Sequence, residues 1–123
     1  MPPLHAPHRD LFRGSLEVLI LSVLTDGPRH GYGIQKQIRL TTNHPLTPGT
    51  LYPLLHSFEA DGLITAKWDR TTPRPRKVYT LTNAGRSRLR RAAAEWQASI
   101  ARLQAQVLPA VRRVANQPND TKV

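Results

Sequence analysis

The chain has 123 residues and no cysteine, and its 18 lysine and arginine residues against 8 aspartate and glutamate residues give a formal net charge of +10. This length suits one domain with a real core, and the lack of cysteine excludes a disulfide framework and a thiolate metal site. A charge this large in a small chain implies an acidic partner, with nucleic acid as the first candidate.

The first residues and the most apolar segment give no signal for secretion or for a membrane span. Residues 1–10 are rich in proline and histidine but lack the apolar core of a signal peptide, which predicts a loose arm. The most apolar run, residues 16–24, is far shorter than the roughly 20 residues that a span needs. We therefore expect a cytoplasmic protein that does not contact a membrane.

Two helices are predicted early in the chain. Apolar side chains recur at helical spacing through residues 16–24, and the sequence Asp-Gly-Pro at residues 26–28 ends that helix. The second helix, residues 32–40, buries two isoleucines and leaves Lys36 and Arg39 on its open side. It is short and basic.

A third helix is the most clearly marked element. Thr47 suits its N-cap, Pro48 its first position, and Gly62 supplies a stop with positive φ. One face is apolar at i, i+3, i+4, i+7 spacing: Leu51, Leu54, Leu55 and Phe58. The other face is polar and has no carboxylate near its start: Thr50, Tyr52, Pro53, His56 and Ser57.

This third helix has two interpretations. A leading turn rich in hydroxyl groups and free of acids suits a recognition helix that enters a DNA major groove tip first, whereas the alternative is an ordinary amphipathic surface helix. Pro53 removes the hydrogen bond to the Gly49 carbonyl and should bend the helix at a cost of roughly 3 kcal/mol.

A basic hairpin is predicted next, with strands at residues 63–69 and 76–82. Period-two alternation marks the first strand, and Tyr79 and Leu81 share one side of the second. The tip, residues 70–75, has arginines that cannot all pair locally, because Asp69 is the only nearby acid. Taken alone, a charged tip is usually just a soluble turn, but its place after a recognition-type helix favours a DNA-binding wing.

The last predicted element is a helix capped by Thr82 that runs over residues 83–108. A heptad seam of spacing 4, 3, 4, 3, 4 lies along it: Leu89, Ala93, Trp96, Ile100, Leu103 and Val107. Such a seam needs a partner helix, so we expect a homodimer; the alternative is that it packs on its own domain. Pro109 should end or kink the helix, and residues 116–123 resemble a frayed polar tail.

The chain resembles the PadR family of bacterial transcription regulators. The resemblance rests on L-E-V-L-I-L-S-V-L at residues 16–24, H-G-Y-G-I at 30–34, G-T-L-Y-P-L-L at 49–55, E-A-D-G-L-I at 59–64 and R-K-V-Y-T-L-T-N-A-G at 76–85. Val78 departs from it, because many relatives carry an aromatic residue there. With a single helix at its C-terminal end, the chain resembles the short subfamily rather than members with a longer C-terminal region.

The resemblance and the pattern together imply a mainly α fold with a small two-stranded β wing, a winged helix-turn-helix followed by a long C-terminal helix. We expect a flexible arm at 1–10, a DNA-binding domain at 11–82, a dimerisation helix at 83–109 and a tail at 110–123. The expected DNA-binding residues are Lys36, Arg39, Thr47, Gly49, Thr50, Tyr52, His56, Arg70, Arg74, Arg76 and Lys77.

The expected function is a homodimeric repressor that binds double-stranded DNA. The family resemblance also implies release by a small aromatic molecule near the dimer interface, where Trp96 would either stack on the ligand or fill the dimer core. A winged-helix module that binds RNA or a protein partner without operator specificity is the alternative.

An enzyme is not expected. The five histidines, two of them His5 and His8 in the arm, lack metal-ligand spacing with carboxylates, and the sequence has no phosphate-cradling loop or spaced acid pair. The sequence therefore predicts neither a metal site nor a cofactor.

Overall fold

The computed structural model describes residues 11–117, and the predicted arm with His5 and His8 and the last six residues of the tail lie outside this range. Within it the chain forms α1 (Leu11–Val23), a 3₁₀ turn (Leu24–Asp26), β1 (Arg29–His30), α2 (Gly31–Thr42), α3 (Pro48–Ala60), β2 (Ile64–Asp69), β3 (Arg76–Leu81) and α4 (Asn83–Ala115). The mainly α fold with a small β wing and a long last helix is confirmed.

The sheet has three strands where the sequence predicted two. The strand order is β1-β3-β2, with both neighbouring pairs antiparallel. In β1, Arg29 pairs with Tyr79 and His30 with Val78. Two residues are too few to produce a period-two pattern, so this strand gave no signal in the sequence. It ties the segment before α2 to the wing.

A single apolar cluster joins the first three helices to the sheet. The four predicted core residues of α3 are all buried, and Tyr79 and Leu81 of β3 are buried beside them, as the alternation predicted. The fully buried side chains come from all of these elements: Ile20, Leu21, Leu24, Ile34, Ile38, Leu51, Leu55 and Ile64. The polar face of α3 is therefore held outward by burial of the opposite face.

The first turn of α4 is locked to the end of α3. The Thr82 hydroxyl caps α4 by accepting from the Gly85 N–H at 3.0 Å, which confirms the predicted cap. Its one hydrogen is shared between the Gly62 and Leu63 carbonyls, whose oxygens lie 2.7 and 2.9 Å away. The Leu63 carbonyl also accepts from the Thr82 N–H at 3.0 Å. Gly85 is buried so closely against this carbonyl that a Cβ atom there would collide with it.

The prediction that α4 ends near Pro109 is wrong, because the helix continues to Ala115. Residues 110–115 are thus helical and do not belong to a tail. Pro109 removes one backbone hydrogen bond, but the helix is 33 residues long, and turns on either side of the proline retain their own bonds. The longer helix carries its apolar face two turns beyond the predicted seam.

The first half of α4 packs along α1. Arg88 donates to Glu17 at 2.6 Å, and the Trp96 indole N–H donates to the Ser15 hydroxyl at 2.8 Å. Leu89 is partly buried against the core cluster. No helix within residues 11–117 combines the length and apolarity needed to cross a membrane.

The close approach at Gly85 gives a stability prediction. Gly85→Ala should lower the free energy of unfolding by about 2 kcal/mol, since the added methyl must displace the Leu63 backbone or the Leu81 side chain. Gly14→Ala is the matched control, because Gly14 lies inside α1 with open space around it, and should raise stability by about 0.8 kcal/mol through helix propensity. Urea unfolding at one fixed protein concentration measures both; equal effects would contradict the close contact.

Candidate DNA-binding surface

Helix α3 presents a polar face with an acid-free first turn. Thr47 begins the helix in an extended conformation, and its hydroxyl bonds to the Thr50 hydroxyl at 3.3 Å, not to a backbone N–H. The first turn contains no carboxylate. Thr50, Pro53 and His56 are exposed on this face. The leading turn is thus open to solvent and compatible with an approaching phosphate.

The connection between α2 and α3 is held by specific hydrogen bonds. Asn43 ends α2 in the left-handed region with φ of 59°, and its N–H donates to the Arg39 carbonyl at 2.8 Å. The Gln35 side chain donates to the carbonyl of buried Leu46 at 2.8 Å. Sequence reasoning did not single out Gln35, because a side chain that bonds to a backbone eleven residues away leaves no local pattern.

Tyr52 is partly a packing residue. Its phenol lies over Gly31 at the start of α2, so closely that a Cβ atom at Gly31 would displace the ring. Beneath it lies Tyr79, whose pKa is raised by burial and further by the neighbouring Tyr52 and Glu59. With 38% of its surface exposed, Tyr52 links α2, α3 and β3 and still faces solvent.

Trp68 organises the basic charges of the wing. It is 54% exposed, with the Arg70 guanidinium 5.6 Å and the Lys77 ammonium 5.8 Å from its ring centroid. Lys77 is its direct cross-strand partner. The signal for this role in the sequence was one tryptophan close to lysine and arginine residues on a predicted strand.

The acid at the base of the wing tip is already partnered. Asp69 accepts from the Thr71 hydroxyl at 2.6 Å and the Thr71 N–H at 3.0 Å, and these bonds lower its pKa. His30 lies 3.4 Å away on β1 and adds to the same effect. The arginine side chains of the tip, Arg70 and Arg74, and that of Arg76 at the start of β3 are exposed.

The fold brings only some of the predicted residues together. Tyr52 and His56 of α3 and Arg76 and Lys77 of β3 line one shared groove of about 380 Å³. Exposed Lys36 and Arg39 on α2, Thr47, Gly49 and Thr50 at the tip of α3, and Arg70 and Arg74 of the wing lie outside that groove. Among residues 11–117, no three histidine, cysteine or acidic side chains gather where they could share a metal ion.

Comparison with known proteins identifies the family. A model of the PadR-like transcriptional regulator family matches residues 20–91. The chain belongs to the PadR family. Its members are DNA-binding transcriptional regulators and not enzymes, so this chain is a DNA-binding regulator. The matched range includes α2, α3 and the wing, which together carry the polar and basic surface described above.

Two relatives are similar to this chain in sequence. A transcriptional regulator of Mycobacterium tuberculosis is 37% identical over 81 residues, covering 66% of this chain and 75% of the relative. A transposon protein of Streptomyces fradiae is 40% identical over 77 residues, 63% of this chain, which spans only 21% of that longer protein.

Two solved structures share the fold. A transcriptional regulator from Clostridium thermocellum has a TM-score of 0.74 at 29% identity, covering 80% of this chain and 98% of that one. A PadR-family transcription regulator from Clostridium difficile has a TM-score of 0.64 at 33% identity, with coverages of 76% and 97%.

The Asp69 cluster predicts a pH-dependent wing tip. Because the folded pKa of Asp69 lies below its usual value of 3.8, the bonds to Thr71 stabilise the tip at higher pH and are lost as pH falls through the folded pKa. Thr71→Val should raise the pKa towards 3.8, as measured by NMR titration of the Asp69 carboxyl carbon. Thr72→Val is the control, since the Thr72 hydroxyl donates to the Arg74 carbonyl instead; an equal rise in both variants would contradict this assignment.

Proposed function

We propose that this PadR-family regulator is a homodimeric, sequence-specific repressor that binds duplex DNA with α3 and the wing. The observation that carries the proposal is the groove in which the exposed face of α3, a helix with an acid-free first turn, meets the basic strand β3 of the wing. Helix α3 of each subunit enters a major groove, and the two half-sites lie about one helical turn, roughly 34 Å, apart.

The proposed contacts divide into two classes. Thr50, Tyr52 and His56 on α3 face base edges or the adjacent phosphates and supply site preference. Phosphates are held by the backbone around Thr47 and Gly49 and by basic side chains of α2 and the wing: Lys36, Arg39, Arg70, Arg74, Arg76 and Lys77. Phosphate contacts provide affinity without sequence information, so the operator is chosen by the smaller α3 set.

Dimerisation is assigned to the exposed apolar face of α4. In the first half of the predicted seam, Leu89 and Trp96 contact the core and α1 of their own chain. In the second half, Leu103 and Val107 are 49% and 50% exposed, and the same face continues through Ala110, Val111 and Val114. A partner helix covers this strip and removes its apolar surface from water. Ala93 lies in the first half, between Leu89 and Trp96, and Ile100 lies at the border between the two halves.

Effector release is the second part of the proposal. Trp96 lies on α4 near the predicted interface, partly buried, with its indole bonded to Ser15. An aromatic molecule that stacks on Trp96 would compete with this α1–α4 contact and shift the angle at which two subunits present their α3 helices. Such a ligand lowers DNA affinity only by its preference for the altered arrangement.

The proposed dimer interface is tested by placing the same charge on opposite faces of α4. Val107→Asp places a charge in the proposed interface and should convert the dimer to monomer at micromolar concentration in sedimentation equilibrium. Ala105→Asp adds the same charge to an exposed position on the other side of α4 and should leave the dimer intact. A dimeric Val107→Asp variant would remove this strip from the interface.

Fluorescence anisotropy tests DNA recognition. The protein is titrated against the DNA upstream of its own gene and against a shuffled duplex of equal length, at two salt concentrations. The upstream DNA should win by about a thousandfold at the higher salt, with two subunits per site. If both duplexes bind with equal affinity and both affinities fall alike as salt rises, the protein is a winged helix that binds polyanions without sequence preference. A preference for single strands or A-form RNA would favour an RNA-binding module.

The same titrations test whether the wing tip contacts DNA. Roughly four phosphate contacts per subunit give a log-log salt slope near minus seven for a dimer, and Arg74→Ala should reduce its magnitude by about one per subunit. Arg90→Ala removes an equal charge from an exposed position on α4 and should leave the slope unchanged. Identical slopes for the two variants would exclude the wing tip.

A further inference from the structure

The groove between α3 and the wing has an aromatic lining that contacts to a duplex do not require. Its walls include rings from α2, α3 and both wing strands: Tyr32, Tyr52, Trp68 and Tyr79. The volume of about 380 Å³ is within the range of small-molecule sites, which is roughly 300–1,000 Å³. A duplex keeps its bases stacked inside and offers phosphates and groove edges, so four ring walls suit a different, planar molecule.

The charges around the groove favour an anion. Arg76 and Lys77 line it, and no carboxylate is among its described lining residues. The nearest wing acid, Asp69, is committed to Thr71 by two hydrogen bonds. Asp69 also lies 3.4 Å from His30 and opposite Arg76 in the strand pair, whereas Lys77 is opposite Trp68 on the other face of the hairpin. Lys77 is therefore the cation that an anionic group meets without a competing acid.

The floor of the groove is already formed. Tyr52 lies against Gly31, where the missing side chain leaves room for the phenol, and Tyr79 is only 3% exposed. Burial raises the pKa of Tyr79, so its hydroxyl stays protonated at neutral pH and can donate a hydrogen bond. A preformed floor reduces the entropy lost when a ligand binds.

We propose that this groove binds a planar aromatic anion, with its ring against Trp68 and its carboxylate or sulfonate paired with Lys77. The Lys77 ammonium lies 5.8 Å from the Trp68 ring centroid, so one small molecule reaches both. One consequence rests on the proposed function: a ligand here occupies the space between α3 and the wing, so ligand and DNA exclude one another. This site is separate from Trp96, which lies on α4 against α1.

The two tryptophans of the chain make the site observable. In ¹⁵N-labelled full-length protein, the two indole N–H signals are assigned with Trp68→Phe and followed during titration with 8-anilinonaphthalene-1-sulfonate. We expect the Trp68 signal to move with a saturating dependence and the Trp96 signal to stay in place. Movement of Trp96 alone, or of neither signal, would overturn the proposal.

Matched probes and variants test the need for the anion. N-phenyl-1-naphthylamine has the same rings without the sulfonate and should bind about tenfold more weakly. Lys77→Gln should weaken sulfonate binding by about tenfold and leave the neutral probe unaffected. Lys67→Gln is the control, because Lys67 is exposed one residue before Trp68 and so lies on the other face of the hairpin. Equal loss in both lysine variants would overturn the specific pairing.

A final titration separates this proposal from the proposed function. Saturating upstream duplex should abolish the Trp68 response to the sulfonate. Conversely, saturating sulfonate should weaken the affinity of the protein for the duplex. Undiminished probe binding to the DNA complex would overturn mutual exclusion. If the protein shows no preference for upstream DNA, the repressor proposal fails, whereas a saturable, Lys77-dependent Trp68 response still supports the groove.

Discussion

The Leu63 carbonyl is the point at which three parts of the molecule meet. The N–H of Leu63 donates to the Phe58 carbonyl at the end of α3 at 2.9 Å. The Leu63 carbonyl oxygen accepts from both the N–H and the hydroxyl of Thr82. Gly85 closes against the same oxygen. Because α3, the wing and α4 are all tied here, the direction in which α3 points is fixed relative to the helix that is proposed to pair two subunits. A buried backbone contact of this kind tolerates little change, since any shift leaves polar atoms unpaired.

Burial on one side and charge on the other explain how the surface works. The apolar face of α3 is fully enclosed, which commits the polar face to solvent without any further restraint. The wing gains its cationic surface differently: Trp68 attracts two cations, while Asp69 is occupied by Thr71. The single acid near the tip therefore does little to neutralise the arginines, and the positive potential available to a polyanion is preserved.

The proposed DNA surface and the proposed ligand groove share residues. Tyr52, His56, Arg76 and Lys77 line the groove and also belong to the set that faces DNA. A site with this overlap couples ligand and DNA by direct competition, which requires no movement of subunits. Binding at Trp96 would instead act through the packing of α4 on α1 and through the dimer. The two routes differ in which tryptophan reports the ligand.

The sequence by itself determined the helices, the two main strands and the family, because each rests on local signals: Pro48 at the first position of α3, the Thr82 cap of α4, a stop at Gly62, and apolar spacing in α3. Only the tertiary structure decided features that depend on distant partners. Strand β1 has two residues and exists through pairing with β3; Tyr52 gains its packing role from Gly31; and Trp68 becomes a centre for cations because the hairpin brings Lys77 beside it. The end of α4 at Ala115 also escaped prediction, since one proline removes a single bond while the remaining turns of a long helix sustain it.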